Sequence, residues 1–137
     1  MTTVVGAAQL QAIVSDEDVV RVRQLVRTAA VTAKLSLVDQ TKVVTAASEL
    51  ARNTLVYGGG GQAEVSTVDN GARRGVRVVF SDDGPGIADV ELALTDGYTS
   101  GGGLGLGLSG ARRLVEEFEL NTEVGTGTTI AITKWAR

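Results

Sequence analysis

The sequence predicts a two-layer α+β sandwich, with helices packed on one face of a mixed, mostly antiparallel sheet. Three features predict it. Two long stretches in the N-terminal half carry apolar residues at three- and four-residue intervals. Short β-type runs follow in pairs, each pair joined by a glycine-containing turn. The 18 glycines, against a single proline, fall in blocks at 58 to 61, 84 to 86, 101 to 110 and 125 to 127, which marks tight backbone sites and not a flexible linker. With 137 residues, 43% of them hydrophobic, the chain suffices for one continuous core and is too short for two ordinary domains, so 1 to 137 is expected to be one domain.

Leu10 to Val14 is a short apolar segment leading into a first helix. Ser15, with Asp18 three residues on, has the spacing of a capping box, and the helix is expected to reach about Ala33. Val19, Val22, Val26 and Ala29 form its buried stripe, with Arg21, Arg23 and Arg27 on the wetter side. A second helix is expected from about Asp39 to Tyr57, stopped by the block Gly58 to Gly61, which can supply the left-handed residue that ends a helix. At about 100° per residue, Val43, Val44, Ala47, Leu50, Ala51 and Thr54 share one arc, while Glu49 and Asn53 project from the opposite side. Gln62 to Val68 and Val76 to Phe80 read as strands joined through Asn70-Gly71, and Asp82 follows the second directly. A short helix around Ala88 to Leu94, a glycine-rich loop, and a longer helix with Ala111, Leu114, Val115 and Phe118 on its apolar face come next. Leu120 to Val124 and Thr128 to Thr133, separated by Gly125-Thr126-Gly127, complete the sheet.

Composition removes whole classes of chemistry. A net charge of -3 argues against electrostatic binding of a nucleic-acid backbone. The absence of Cys and His removes disulfides, thiolate or imidazole metal sites, cysteine nucleophiles and histidine triads, so any metal must be held by oxygen. No apolar run approaches the roughly 18 residues that cross a bilayer, and the N-terminal stretch lacks a basic segment ahead of an apolar one, so a cytoplasmic protein without membrane association is expected.

Four constellations remain. Glu49 and Asn53 lie one helical turn apart, where a carboxamide oxygen suits Mg²⁺ and a neighbouring carboxylate can take a proton, although an exposed polar face has the same spacing. Asp82-Asp83-Gly84-Pro85-Gly86 sets a carboxylate, able to accept from an exocyclic amine such as that of adenine, beside a sharp turn; an ordinary turn reads the same way. Gly101 to Leu108 runs into a helix, so its backbone N–H groups can meet phosphate oxygens, yet no Gly-Lys-Ser/Thr follows as a Walker A loop requires. Gly125-Thr126-Gly127-Thr128 opens the last strand and could complete a base pocket or simply turn a hairpin.

In that order, Glu-x-x-x-Asn, Asp-x-Gly-x-Gly, Gly-x-Gly-x-Gly and Gly-x-Gly-Thr resemble the N, G1, G2 and G3 boxes of the GHKL ATPases, over residues 49 to 129. The stretches SLVDQTKVVTAASELARNTLVYGGGG and TDGYTSGGGLGLGLSGARRLVEEFE are similar, within that group, to the stressosome switch serine/threonine kinases of the RsbT type, relatives of anti-sigma-factor kinases. The resemblance implies the Bergerat, or histidine-kinase-like, ATPase fold. It implies Mg²⁺ on Asn53 and Glu49 as base toward a substrate Ser or Thr. It implies Asp82 on the adenine amine, with Gly84 and Gly86 letting the base approach and Thr128 supporting the pocket. Gly103, Gly105 and Gly107, with Leu104 and Leu106 between them, would wrap the phosphates of ATP. It also implies a STAS-domain protein as substrate and a PP2C-type phosphatase as second partner. One departure is that no Lys or Arg lies between Gly86 and Gly110; Arg52, Arg112 and Arg113 are the nearest cations in sequence. An ATP-gated binding module, needing no base, and a histidine-kinase catalytic domain, needing an acceptor helix on another polypeptide, are the competing readings.

Overall fold

The computed structural model describes residues 1–95 and 107–137. Five strands and four helices follow along them: β1 (Thr3–Ile13), α1 (Asp16–Thr32), α2 (Leu37–Val56), β2 (Gly61–Asp69), β3 (Arg74–Asp82), α3 (Val90–Ala93), α4 (Gly107–Arg113), β4 (Glu117–Glu123) and β5 (Gly127–Trp135). The strands form one sheet in the order β1-β2-β3-β5-β4, with every neighbouring pair antiparallel. The mostly antiparallel sheet of the sequence reading is thus antiparallel throughout the described residues.

Alternation along the strands sorts the two faces. Ala63 and Val65 of β2, Val76, Val78 and Phe80 of β3, and Ile130 and Ile132 of β5 are buried under α1 and α2 in one core with Val22, Val26, Val43, Ala47 and Leu50. Burial on this scale is the main favourable term in folding. The helical stripes fall as periodicity predicts, except that the α1 stripe continues through fully buried Ala30, Ala29 being half-buried.

The caps explain the helix starts. Ser15 Oγ accepts the Asp18 N–H at 3.4 Å, and Asp18 returns its carboxylate to the Val14 N–H at 3.0 Å, one residue outside the box its spacing predicts. That bond above all, helped by Arg21 and opposed by burial, holds the Asp18 carboxyl below its ordinary range. Ser36 caps α2 in the same way through the Asp39 N–H at 3.1 Å. At the other end, Tyr57 is the C-cap, and Gly59 (φ +74) and Gly60 (φ +101) carry the left-handed turn while Gly58 does not.

Two expectations are corrected. The helix after the glycine-rich loop ends at Arg113, and Phe118 lies in β4, opposite Ile132. Leu114, Val115 and Phe118 fit a helical spacing, but Phe118, Leu120 and Thr122 also alternate, and pairing with β5 along that alternation satisfies the backbone of a sheet edge. The first strand is longer than Leu10 to Val14, because its polar and small residues from Thr3 onward pair with β2 across a bulge between Val5 and Gln9.

Candidate functional site

The site lies where the C-terminal end of α2 meets the end of β3 and the β4–β5 hairpin. Glu49 and Asn53 lie one turn apart on α2, beside the core stripe and half-buried, with fully buried Ala46 bordering Asn53. Asn53 begins the last turn: its backbone carbonyl accepts the N–H groups of Tyr57 at 2.9 Å and Gly58 at 3.2 Å. Its carboxamide makes no hydrogen bond among the described residues, leaving an oxygen for a hard cation. Glu49 is not simply solvated. Its Oε1 accepts the backbone N–H of Gly107, the first residue of α4 (φ +71), at 3.0 Å. Gly107 is buried, and its N–H, expected from the resemblance to face phosphate, is engaged by this carboxylate because the start of a helix leaves donors without internal partners.

Asp82 ends β3, its side chain on the helix-facing side in register with Thr128. Oδ1 accepts the Gly84 N–H at 2.9 Å, fixing the carboxylate with a tight local turn; Oδ2 has no partner among the described residues. Gly58 brings α2 to this carboxylate. A Cβ there would stand 2.5 Å from Asp82 Cγ, and a Cβ at Gly84 would stand 2.8 Å from Gly58 Cα. The turn that starts at Asn53 therefore ends in contact with Asp82.

The β4–β5 hairpin closes the other side. A side chain at Gly127 (φ +138) would collide with the Asp82 carbonyl, and one at Gly86 (φ +77) with the Glu123 backbone. Gly125 donates its N–H to the Pro85 carbonyl at 2.9 Å. Thr122 Oγ1 accepts from the Ile87 N–H at 2.9 Å and lies 2.9 Å from Thr128 Oγ1. Gly84 and Gly86 thus let protein backbone close around Asp82, with Thr128 held beside it through Thr122.

Sequence reasoning missed Thr122 as a site residue and read Gly58 only as part of a helix stop. Thr122 pairs with Thr128 across the hairpin, a signal present in the strand register but not in either residue alone. Of the site residues read from sequence, Glu49, Asn53, Asp82, Gly84, Gly86 and Thr128 gather here together with Gly107; Gly103, Leu104, Gly105 and Leu106 lie outside the described residues. Among the arginines, Arg52 turns to Asp16 at 3.8 Å in an exposed pair, and Arg112 is exposed.

A carboxylate and a carboxamide on α2, with the end of that helix against a strand-end aspartate through Gly58, are the groups that the resemblance to the GHKL ATPases leads one to expect. Residues 38–136 match the family described as histidine kinase-, DNA gyrase B- and HSP90-like ATPase, and the chain belongs to it. Within the family it belongs with the ATP-dependent serine/threonine protein kinases of the RsbT kind. It is 42% identical over 125 residues to the serine/threonine-protein kinase RsbT of Bacillus subtilis (strain 168), covering 91% of this chain and 94% of that one. The fold is shared with a solved structure of the RsbU and RsbW domains of Rv1364c from Mycobacterium tuberculosis, at a TM-score of 0.67 and 19% identity, over 96% of this chain and 33% of that one. The chain thus spans about a third of that solved polypeptide.

Proposed function

We propose that the chain transfers the γ-phosphoryl group of Mg·ATP to a serine or threonine of a partner protein in the cytoplasm. The reading is supported by the contact of the α2 terminus, one turn beyond Asn53, with Asp82 through Gly58 and Gly84. The kinase relative, aligned along nearly the whole of both chains, supports the reaction class.

Asp82 Oδ2 accepts the exocyclic amine of adenine, while Oδ1 stays with Gly84. Thr128, braced by Thr122, backs the same pocket. Asn53 would hold Mg²⁺ through its carboxamide oxygen, and the ion, when bound, would neutralise phosphate charge. Backbone N–H groups of Gly103 to Leu106 line the phosphates in this reading. Glu49 takes the proton of the attacking hydroxyl as the oxygen bonds to the γ-phosphorus, and the bond to the bridging oxygen breaks, its electron pair leaving with ADP. No Lys or Arg lies in sequence between Gly86 and Gly110, and a metal ion, when bound, would supply charge neutralisation there.

The substrate is a STAS-domain protein, and its phosphorylation releases the kinase to a PP2C-type phosphatase. Incubating the chain with Mg·ATP and candidate STAS proteins, followed by mass spectrometry of the partner, is expected to locate phosphate on Ser or Thr. Phosphate on His alone would overturn the substrate class.

A further inference from the structure

The two oxygens of Glu49 have different surroundings. Oε1 is bound to the Gly107 N–H at 3.0 Å, a contact spanning 58 positions, whereas Oε2 has no partner among the described residues. The first turn of α4 contains no acidic residue of its own, so the carboxylate that meets its leading N–H comes from another helix. Gly107, Leu108 and Ser109 are buried, and water therefore competes poorly for that donor.

We propose that Glu49 divides two duties between its oxygens: Oε1 grips Gly107 and so fixes both the carboxylate and the start of α4, while Oε2 receives the substrate proton. The idea rests on the phosphotransfer reading above. A glutamate has three side-chain torsions, and a base that samples them freely spends little time in a reactive geometry. One strong bond from a buried backbone donor removes most of that freedom and still leaves a lone pair exposed. Gly107 is thereby a positioning residue for the base, acting through its amide alone. The φ of +71 at Gly107 aims that amide and is a conformation that L side chains rarely adopt.

The two duties come apart on substitution. In Glu49→Gln the side-chain oxygen still accepts from Gly107 while the amide nitrogen cannot take a proton; in Glu49→Ala both capacities are lost. Amide hydrogen exchange at Gly107 and Leu108, followed by NMR on the full chain, is measured beside phosphotransfer from Mg·ATP to a STAS partner. Glu49→Gln should exchange at the wild-type rate yet lose about 10²–10⁴-fold in phosphotransfer. Glu49→Ala should lose as much activity and exchange about tenfold faster or more at Gly107, as expected for a lost bond to a charged group. Equal Gly107 exchange in wild type and Glu49→Ala would overturn the proposal. Full activity in Glu49→Gln with fast exchange in Glu49→Ala would instead leave the tether standing and defeat the base assignment.

Discussion

Gly58 decides whether α2 and β3 can touch. Its backbone angle is not in the left-handed region, so the obstacles to alanine are steric: Asp82 Cγ lies 2.5 Å, and the Thr54 carbonyl oxygen 2.6 Å, from where the new methyl would sit. Gly58→Ala is therefore expected to push the carboxylate aside and weaken ATP binding by about tenfold or more, equivalent to roughly 1.4 kcal/mol or more, as measured by calorimetric titration. Asn53 should behave differently. Its carboxamide makes no hydrogen bond among the described residues, so Asn53→Ala is expected to leave folding intact and abolish the Mg²⁺ dependence of nucleotide binding, checked by titrating ATP with and without the metal. These residues were legible in the sequence because glycine, asparagine and aspartate at fixed offsets state a chemical need. Gly58 was legible as a glycine but not as a contact, since its partner Asp82 lies at the far end of the β2–β3 hairpin that follows it.

The β4–β5 hairpin holds the Asp82 loop by polar bonds more than by apolar contact. Thr122 is its centre, taking the Ile87 N–H and meeting Thr128 and the Gly127 carbonyl. Thr122→Val keeps the shape but strands those groups, and should cost about 1–3 kcal/mol in denaturant unfolding. The two long helices were legible because their apolar stripes and Ser caps agree. The segment after α4 was not. Between Ala111 and Leu120 the apolar residues satisfy a helical and a strand period at once, and pairing with β5, a long-range term, decided for the strand. The same limit hid the length of β1, whose residues from Thr3 to Gln11 are mostly exposed and become a strand by pairing with β2. At the first hairpin, Asn70-Gly71 was read correctly as a turn. Asn70 Oδ1 accepts from both Ala72 and Arg73, and Gly71 takes φ +92.

Ends distant in sequence are joined through Asp39, 1% exposed at the start of α2. It pairs with Lys134 of β5 at 3.6 Å, itself 3% exposed, and with Arg137 at 3.1 Å, while Lys134 also meets Glu116 at 2.6 Å. Burial pushes the Asp39 carboxyl up, but Lys134 and Arg137 outweigh it and hold it below its ordinary value of 3.8. The stabilisation is fully present above that value and is lost as pH falls through the depressed folded one. Asp39→Asn should cost about 3 kcal/mol near neutral pH, the low end for losing one member of a buried pair because Glu116 still pairs Lys134, and should flatten the acid limb of a stability-versus-pH curve. None of the described helices is long and apolar enough to cross a membrane. In the function proposed above, the nucleotide is held by Asp82 at one end and Asn53 at the other. The most direct measurement is calorimetric titration of Mg·ATP into the wild type and Asp82→Asn. The account predicts that the variant binds about 10- to 100-fold more weakly, the range for losing a hydrogen bond to a charged group. Equal affinity in the two proteins would contradict it.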